Sequence, residues 1–168
     1  MYIIREARAE DAEAIAVVHV QSWRDAYTGL VPQAVLDGLS VERRADAWRE
    51  WLPKLEQSRT WVAEVEGEIA GFVNAGASRD GDAPAGTGEI NAIYVLGSLW
   101  DAGLGAALMN TALEWLRERF AAATLWVLEG NHRGRRFYEK GGWRPDGKSQ
   151  DLDFEGTSLP EMRYRIDL

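Results

Sequence analysis

The stretch Glu89-Ile-Asn-Ala-Ile-Tyr-Val95, followed by Trp100-Asp-Ala-Gly-Leu-Gly105, carries the strongest fold signal in this chain. Its first part contains β-branched, apolar and aromatic residues with one Asn, a composition typical of a β-strand. From Leu104 onward the apolar residues follow helical spacing. The sequence therefore predicts a strand over 89–95, a glycine turn, and a helix over 103–120.

Gly103 and Gly105 lie at the junction, where glycine lets the backbone approach a ligand closely. The first N–H groups of a helix have no intrahelical partner and attract anions, so a phosphate-bearing cofactor is the natural occupant. Two phosphate motifs are excluded. A phosphoryl-transfer loop requires Gly-Lys-Ser/Thr, but Ala106-Ala107 follows Gly105. A dinucleotide-binding turn requires a further glycine after Gly105, and none stands at or beside that place, where this chain has Leu108, Met109 and Asn110.

The segment resembles the GNAT superfamily of acetyl-CoA-dependent N-acetyltransferases. That family's signature is Gln/Arg-x-x-Gly-x-Gly/Ala after a strand, often with Tyr-Val-x-Pro before it. The corresponding residues here are Ile93-Tyr-Val-Leu-Gly97 and Trp100–Gly105, so Gly97 replaces the usual proline and Trp100 the usual Gln/Arg. Because the family's loop holds the pyrophosphate mainly through backbone N–H groups, the resemblance implies that binding survives while the Gln/Arg side-chain contact is lost.

A second motif resembles the same family. Leu125–Asn131 and Arg135–Pro145 are similar to its next strand, its Phe-Tyr helix and its Gly-Phe/Trp-x-Pro turn. Ile4-Arg5 with Glu10-Asp11-Ala12 is similar to its opening strand and first helix. The resemblance implies a GNAT-like acyl-CoA N-acyltransferase fold, a mixed α/β fold with a central, mostly antiparallel sheet flanked by helices. We expect a single domain over 1–168.

The remaining elements follow from apolar periodicity and from turn residues. We expect a first strand over 2–6, a hairpin of strands 60–66 and 68–75, a strand over 124–128 and a final strand near 161–166. Helices are expected from Glu10 to about Gly29, as one or two helices over 33–52, and over 132–140. A loop is expected over 78–88. The polar, acidic stretch 146–158 is interpreted as a long loop or as containing a short strand.

Composition narrows the classes of function. The 168 residues are 46% hydrophobic, which is typical of a globular fold. There is no cysteine, which excludes disulfides, thiolate metal sites and a cysteine acyl-enzyme. A net charge of −8 argues against nucleic-acid binding and is compatible with cationic acceptors, although many soluble proteins are equally acidic. Charges near the N-terminus and the lack of a long apolar run predict a cytoplasmic protein without membrane association.

Acetylation of an amine requires that its ammonium lose a proton, and for a lysine-like amine this costs roughly 4–5 kcal/mol at pH 7. A carboxylate in the cleft attracts the cation and accepts the proton, directly or through water. Glu89 is the predicted carboxylate: its spacing before Trp100 matches the family's catalytic glutamate, and simple alternation puts it on the face of Asn91, Ile93 and Val95. The alternative is a solvated strand-end carboxylate.

Tyr138 aligns with the tyrosine of the family's Phe-Tyr helix, which acts as general acid near the sulfur. A phenol has a pKa of about 10, so it is protonated at neutral pH and can donate to a departing thiolate. The alternative is a core tyrosine with its hydroxyl satisfied at the surface.

The resemblance also implies a set of residues around acetyl-CoA. The predicted cofactor-binding residues are Ile93, Tyr94, Val95, Trp100, Asp101, Ala102, Gly103, Leu104, Gly105, Ala106, Asn131 and Arg136. Each has a structural alternative: ordinary sheet pairing for the strand residues, a helix N-cap for Asn131, and solvation for Arg136 and its neighbours Arg133 and Arg135.

For the acceptor, Trp23 and Tyr27 share a helical face and join Glu89 as predicted substrate-binding residues, since aromatic faces hold cations. Their alternative is the core. The acidic residues Asp151, Asp153 and Glu155 are a weaker hypothesis for polycation attraction. His19 and His132 lack a third partner at metal spacing, so no metal site is expected, with His19 at the core edge and His132 exposed.

These observations predict direct transfer of acetyl from acetyl-CoA to a primary amine in a ternary complex. The expected acceptor is a small cationic metabolite or an amine-bearing antibiotic, and a protein or peptide amine is the nearest alternative. A CoA-binding regulatory module that has lost turnover is a different class of function, suggested by the altered Gly97 and Trp100. A homodimer is common in the family and is expected here as a possible assembly.

Overall fold

The computed structural model describes residues 1–154 and 156–168. Over these residues the chain forms seven strands and five α-helices, which confirms the mixed α/β class. In chain order they are β1 (Tyr2–Glu6), α1 (Ala12–Tyr27), α2 (Gln33–Asp37), α3 (Val41–Trp51), β2 (Ser58–Val65), β3 (Glu68–Ala77), β4 (Thr87–Val95), α4 (Leu104–Arg117), β5 (Ala122–Leu128), α5 (His132–Lys140), β6 (Arg144–Phe154) and β7 (Thr157–Asp167). Short 3-10 helices, Ala9–Asp11 and Gly97–Leu99, precede α1 and α4.

The strands form one sheet in the order β1-β2-β3-β4-β5-β7-β6. Every neighbouring pair is antiparallel except β4 and β5, which run parallel and are connected through α4. A parallel pair requires such a crossover, because a tight turn cannot return the chain in the same direction. The predicted central, mostly antiparallel sheet flanked by helices is therefore confirmed.

Helices cover both faces of the sheet. On one face α4 buries Leu104, Leu108, Ala112 and Leu116, which follow one another at four-residue steps and form a single stripe. Burying each of these leucines stabilises the fold by roughly 1.5–3 kcal/mol relative to exposure. The opposite face is covered by α1 and α3. The apolar stripe thus fixes α4 against the sheet beside β4.

The C-terminal region differs from the sequence expectation. The stretch expected as a loop or a short strand instead continues β6 to Phe154 and begins β7 at Thr157, and each strand has 11 residues. Most residues of β6 are exposed, because β6 is an edge strand, and this explains why no hydrophobic alternation predicted it. Pro145 is tolerated there, since an edge strand leaves some N–H groups unpaired.

A β-bulge interrupts the pairing of β3 with β4. Asn74 is the register partner of Ala92, and Ala75 is the partner of Ile90, so Asn91 is an extra residue in β4. The Asn91 side chain is held by one hydrogen bond, in which Nδ2 donates to Asn74 Oδ1 at 2.8 Å. The bulge therefore changes the alternation of side chains midway along β4.

The bulge corrects the predicted orientation of Glu89. Ile90, Ile93 and Val95 all pack in the core cluster that contains α4, although strict alternation would separate Ile90 from the other two. Glu89, adjacent to Ile90, consequently lies on the opposite face, which it shares with Tyr94. The prediction that Glu89 shares a face with Ile93 and Val95 is wrong, because it assumed an unbroken strand.

A histidine of α1 is enclosed by aromatic rings. His19 is 8% exposed, with the ring centroids of Phe72 and Tyr94 each 5.3 Å away. Trp48 Nε1 donates a hydrogen bond to His19 Nδ1 at 3.2 Å. Burial lowers the pKa of His19 to about 3, so the ring is neutral at pH 7. His19 at the core edge and an exposed His132 are both confirmed.

This histidine should make stability fall in mild acid. The unfolded chain protonates His19 below pH 6.5 while the folded protein does not until about pH 3, so the unfolded state gains protons as the pH falls between these values. We expect His19 to lower the free energy of unfolding by about 2 kcal/mol between pH 7.5 and pH 5. Urea unfolding at both pH values should show this loss reduced by that amount in His19→Gln. The exposed control, His132→Gln, should behave as the unmodified chain; equal pH dependence in all three proteins would contradict the assignment.

Candidate active site

The two parallel strands at the centre of the sheet separate after a short pairing. Thr87–Glu89 pairs with Ala122–Thr124, and beyond these residues the pairing ends. The opening between the separated strands is a cleft of about 850 Å³. Backbone groups on the edge of β4 that faces β5 are left available to a ligand in this cleft.

Most residues singled out from the sequence lie around this one cleft. Within the described residues, only Ala102 of the predicted set is not part of the lining. The predicted residues that line the cleft are Trp23, Tyr27, Glu89, Ile93, Tyr94, Val95, Trp100, Asp101, Gly103, Leu104, Gly105, Ala106, Asn131, Arg136 and Tyr138.

One end of the cleft is formed by the N-terminus of α4. Gly103 is the N-cap residue and has φ +87°, a left-handed conformation that glycine adopts at no steric cost. The N–H groups of Leu104, Gly105 and Ala106 belong to the first helical turn and have no intrahelical acceptor. Together with the dipole of α4, these groups make an anion-binding site.

Trp100 has a structural role at this end. Its Nε1 donates a hydrogen bond to Val95 O at 2.9 Å, which fastens the loop to the end of β4. The Arg133 guanidinium lies 4.3 Å from the Trp100 ring centroid and donates to Asp101 Oδ1 at 3.0 Å. At the position where the resembled motif has Gln or Arg, this chain therefore has an indole ring that holds Arg133 at the cleft by a cation–π contact.

Gly97, the other departure from the resembled motif, is explained by a contact with α1. Its N–H donates to Asp25 Oδ2 at 2.8 Å. A Cβ at position 97 would lie 2.9 Å from the Asp25 carboxyl group, which is too close for any side chain without movement. Proline would supply no N–H donor for this bond. Glycine is therefore the residue that the Asp25 contact requires.

Glu89 lies where β4 and β5 separate. It is 2% exposed, so the alternative of a solvated strand-end carboxylate is wrong. Arg79 holds both of its oxygens: the backbone N–H donates to Oε1 at 2.9 Å and Nη2 donates to Oε2 at 3.0 Å. Glu89 is therefore an ordered, charge-balanced carboxylate on the wall of the cleft.

Tyr138, on α5, lines the cleft from the other side. Its ring contacts Phe137, Trp143 and Tyr164, with centroid distances between 5.4 and 6.4 Å. Burial raises the pKa of the Tyr138 phenol above its usual value of 10, which keeps the hydroxyl protonated at neutral pH. No hydrogen bond of this hydroxyl is found among the described residues, so it is available to a ligand.

Aromatic side chains line the cleft on the side of α1. The rings of Trp23 and Tyr27 meet edge-to-face with a centroid distance of 4.8 Å. The Tyr27 and Tyr94 hydroxyls are 3.4 Å apart, and burial raises the pKa of both phenols. Trp23 Nε1 is buried and has no partner in the described part of the chain. These residues serve both as core and as cleft wall.

The other predicted binding residues have mixed outcomes. Asn131 caps α5, since its Oδ1 accepts from Gly134 N at 3.0 Å, and it lines the cleft as well. Arg135 bonds Tyr164 and the Glu129 carbonyl group instead of lining the cleft. Asp151 and Asp153 are exposed on β6 outside the lining, and Glu155 lies outside the described residues.

Sequence reasoning missed a buried carboxylate on β7. Glu161 is 7% exposed and lines the cleft. Gln150 Nε2 on β6 donates to Glu161 Oε1 at 2.6 Å. Burial raises the pKa of the Glu161 carboxyl group. The missed signal was the alternation within β7, where Leu159, Glu161 and Arg163 share a face, but β7 was expected to start near Glu161.

Two further features are absent from residues 1–154 and 156–168. No group of three or more His, Asp or Glu side chains is arranged to hold a metal ion. No helix there combines the length and the hydropathy needed to cross a membrane.

Comparisons with known proteins agree with this geometry. Residues 20–143 match the family described as "Acetyltransferase (GNAT) family". The chain is 35% identical over 165 residues to an uncharacterized N-acetyltransferase, YuaI, of Bacillus subtilis, covering 96% of this chain and 91% of that protein. It is 33% identical over 139 residues to an uncharacterized N-acetyltransferase of Archaeoglobus fulgidus, covering 80% of this chain and 88% of the relative.

A solved structure has the same fold. The PaiA N-acetyltransferase of Thermoplasma acidophilum, determined in complex with coenzyme A, superimposes with a TM-score of 0.76 at 18% identity, covering 100% of this chain and 99% of that one. At this identity the similarity concerns the fold alone. The family match and the relatives above 30% identity carry the assignment: the chain belongs to the acetyltransferase (GNAT) family, whose members are acetyl-CoA-dependent N-acetyltransferases.

Proposed function

We propose that this chain transfers acetyl from acetyl-CoA directly to the primary amine of a small cationic acceptor, in a ternary complex. The observation that carries the proposal is a single cleft with two different ends. An anion-binding helix terminus with Gly103 forms one end, while Glu89 and an aromatic wall lie toward the other. A phosphate-bearing acyl donor suits the first end and an amine suits the second.

The donor end supports acetyl-CoA as co-substrate. The N–H groups of the first turn of α4 would hold the pyrophosphate, and Arg133 and Arg136 line the same cleft and would supplement that charge. Backbone groups of β4 from Ile93 to Val95 that are not paired with β3 would bond the pantetheine arm and the thioester carbonyl, with the exception of Val95 O, which accepts from Trp100 Nε1. These assignments follow the family resemblance and the lining of the cleft.

In the proposed reaction, the ammonium first loses a proton, and the free amine then attacks the thioester carbonyl carbon. Glu89 accepts that proton, directly or through water. The attack forms the C–N bond and a tetrahedral intermediate whose nitrogen is positively charged. As the C–S bond breaks, the Tyr138 hydroxyl donates its proton to the sulfur, and the nitrogen releases its extra proton, which returns to the tyrosinate directly or through water. Burial raises the pKa of Tyr138, so the phenol is protonated beforehand, as a proton donor must be, and its position in the cleft rather than its acidity supports the role.

The first test measures release of free CoA thiol from acetyl-CoA in the presence of polyamines, aminoglycosides, amino acids and short peptides.

With the best acceptor, Tyr138→Phe should lower turnover by about 10²-fold and leave acetyl-CoA affinity unchanged, since only proton donation is lost. Tyr2→Phe, at an exposed tyrosine of β1, is the control and should keep full activity. Undiminished turnover of Tyr138→Phe would exclude its role, while CoA binding without release from any acceptor would favour a regulatory module.

Glu89→Gln should lower turnover by about 10²-fold at pH 7 because the amide cannot accept the proton. Arg79 is largely exposed, so loss of its partner leaves no buried cation, and the folded state should be little affected. Steady-state kinetics with Glu68→Gln, an exposed glutamate of β3, as control would measure the effect. Equal turnover in both variants would contradict the role of Glu89 as base.

Gly103→Ala should weaken coenzyme A binding. No atom lies within 4 Å of an added Cβ, but φ of +87° strains any other residue by roughly 1–2 kcal/mol. Relaxation of this strain would shift the first N–H groups of α4, so we expect about tenfold weaker binding in titration calorimetry. Gly81→Ala, where the backbone is unstrained and space is open, is the matched control. Equal affinity of the two variants would argue against pyrophosphate binding at this turn.

A further inference from the structure

Among the carboxylates that line the cleft, Glu161 is distinguished by the absence of a cationic partner. Glu89 pairs with Arg79 at 3.0 Å, and Asp80 pairs with Arg163 at 3.2 Å. Asp101 pairs with Arg133 at 3.0 Å. No arginine, lysine or histidine lies within ion-pair distance of Glu161 in residues 1–154 and 156–168.

The residues around Glu161 only partly stabilise its negative charge. With 7% of its surface exposed, it has lost much of its hydration, and burial raises the pKa of its carboxyl group, so a cation beside it would stabilise the charged form. The amide of Gln150 satisfies Oε1, and no donor to Oε2 is found among the described residues. Since Glu161 lines the cleft, a cation that enters the cleft can supply the missing partner.

Glu161 and Glu89 lie at different levels along the strands of the sheet. In β5, Thr124 is the register partner of Glu89 and Leu128 is the partner of Glu161. Four residues of strand place the two positions roughly 13 Å apart along the strand direction. This separation applies to the backbone positions; the carboxyl groups are closer, since burial raises the pKa of the Glu161 carboxyl group and the charge of Glu89 adds to this rise. The two carboxylates would therefore contact two charges of one short acceptor.

Aromatic and charged residues around the cleft agree with a cation at this position. Trp23, Tyr27 and Trp126 line the cleft with Glu161, and aromatic faces attract ammonium groups. Four cationic residues line the cleft among the described residues: Arg133, Arg136 and Lys140 on α5, and Arg79, which is paired with Glu89. None of the four is within ion-pair distance of Glu161.

We propose that Glu161, held by Gln150, binds a second positive charge of the acceptor, so that the chain prefers amines with two ammonium groups over otherwise equal monoamines. This inference rests on the proposed function and specifies its substrate class. The amine that reacts is presented near Glu89 and Tyr138, and the distal ammonium pairs with Glu161. The spacing between the two charges then becomes a determinant of specificity.

The test uses ligand pairs that differ by one charge. Each straight-chain α,ω-diamine from 1,3-diaminopropane to 1,6-diaminohexane is compared with the monoamine in which a methyl group replaces one ammonium. With acetyl-CoA saturating, kcat/KM for the best diamine should exceed that of its matched monoamine by at least about tenfold. In Glu161→Gln this preference should disappear, while kcat/KM for the monoamine and coenzyme A affinity stay unchanged.

Asp153→Asn, which removes an exposed carboxylate from β6, is the matched control and should retain the full preference. A preference that persists in Glu161→Gln, or is absent from the unmodified chain, would overturn the inference.

Calorimetric titration of the diamines into the CoA-saturated proteins distinguishes failure of the ammonium site from failure of the proposed function. Without any turnover, diamine binding that Glu161→Gln weakens at least tenfold would still support the ammonium site. Equal binding to both proteins, or none to either, would overturn it.

Discussion

The separation of β4 from β5 after only three paired residues is the constraint on which the rest of the site depends. Continued pairing would fill the centre of the sheet with backbone hydrogen bonds and leave no room for a ligand. The bulge at Asn91 lies just beyond the last paired residue and turns the following side chains. Glu89, fixed by two bonds from Arg79, marks the point where the strands part. A buried charge with good partners is costly to move, so it helps to hold this geometry.

The opening between β4 and β5 determines which charged groups face the cleft. Because β4 leads directly into the glycine loop and α4, the positive end of the α4 dipole lies at the mouth of the cleft. The strands β5, β7 and β6 lie on the far side of the opening, and Glu161 of β7 and Gln150 of β6 are on the face that receives α1. In the proposed reaction, one cleft would therefore hold the anionic donor at one place and the cationic acceptor at another.

Features encoded locally could be predicted from the sequence, and features that depend on distant pairing could not. The glycine turn at Gly103 and the helix over 132–140 were predictable because φ preference and short-range periodicity determine them. The bulge at Asn91 depends on the register against β3, so alternation alone gave Glu89 the wrong face. Glu161 was missed for a related reason: β6 is an exposed edge strand without an apolar pattern, so the hairpin that turns Glu161 inward has no local signature.

The contact between Gly97 and Asp25 has a consequence for how this sequence can vary. Position 97 admits no side chain while Asp25 occupies the adjacent space, and Asp25 loses its backbone donor if position 97 becomes proline. Its other bond, from Gln21 Nε2 at 3.0 Å, lies on the surface of α1 and gives little compensation. The two positions are therefore physically coupled. A proline at position 97 would need a change at position 25 to be accommodated, so the end of α1 and the loop that leads into the glycine turn depend on each other.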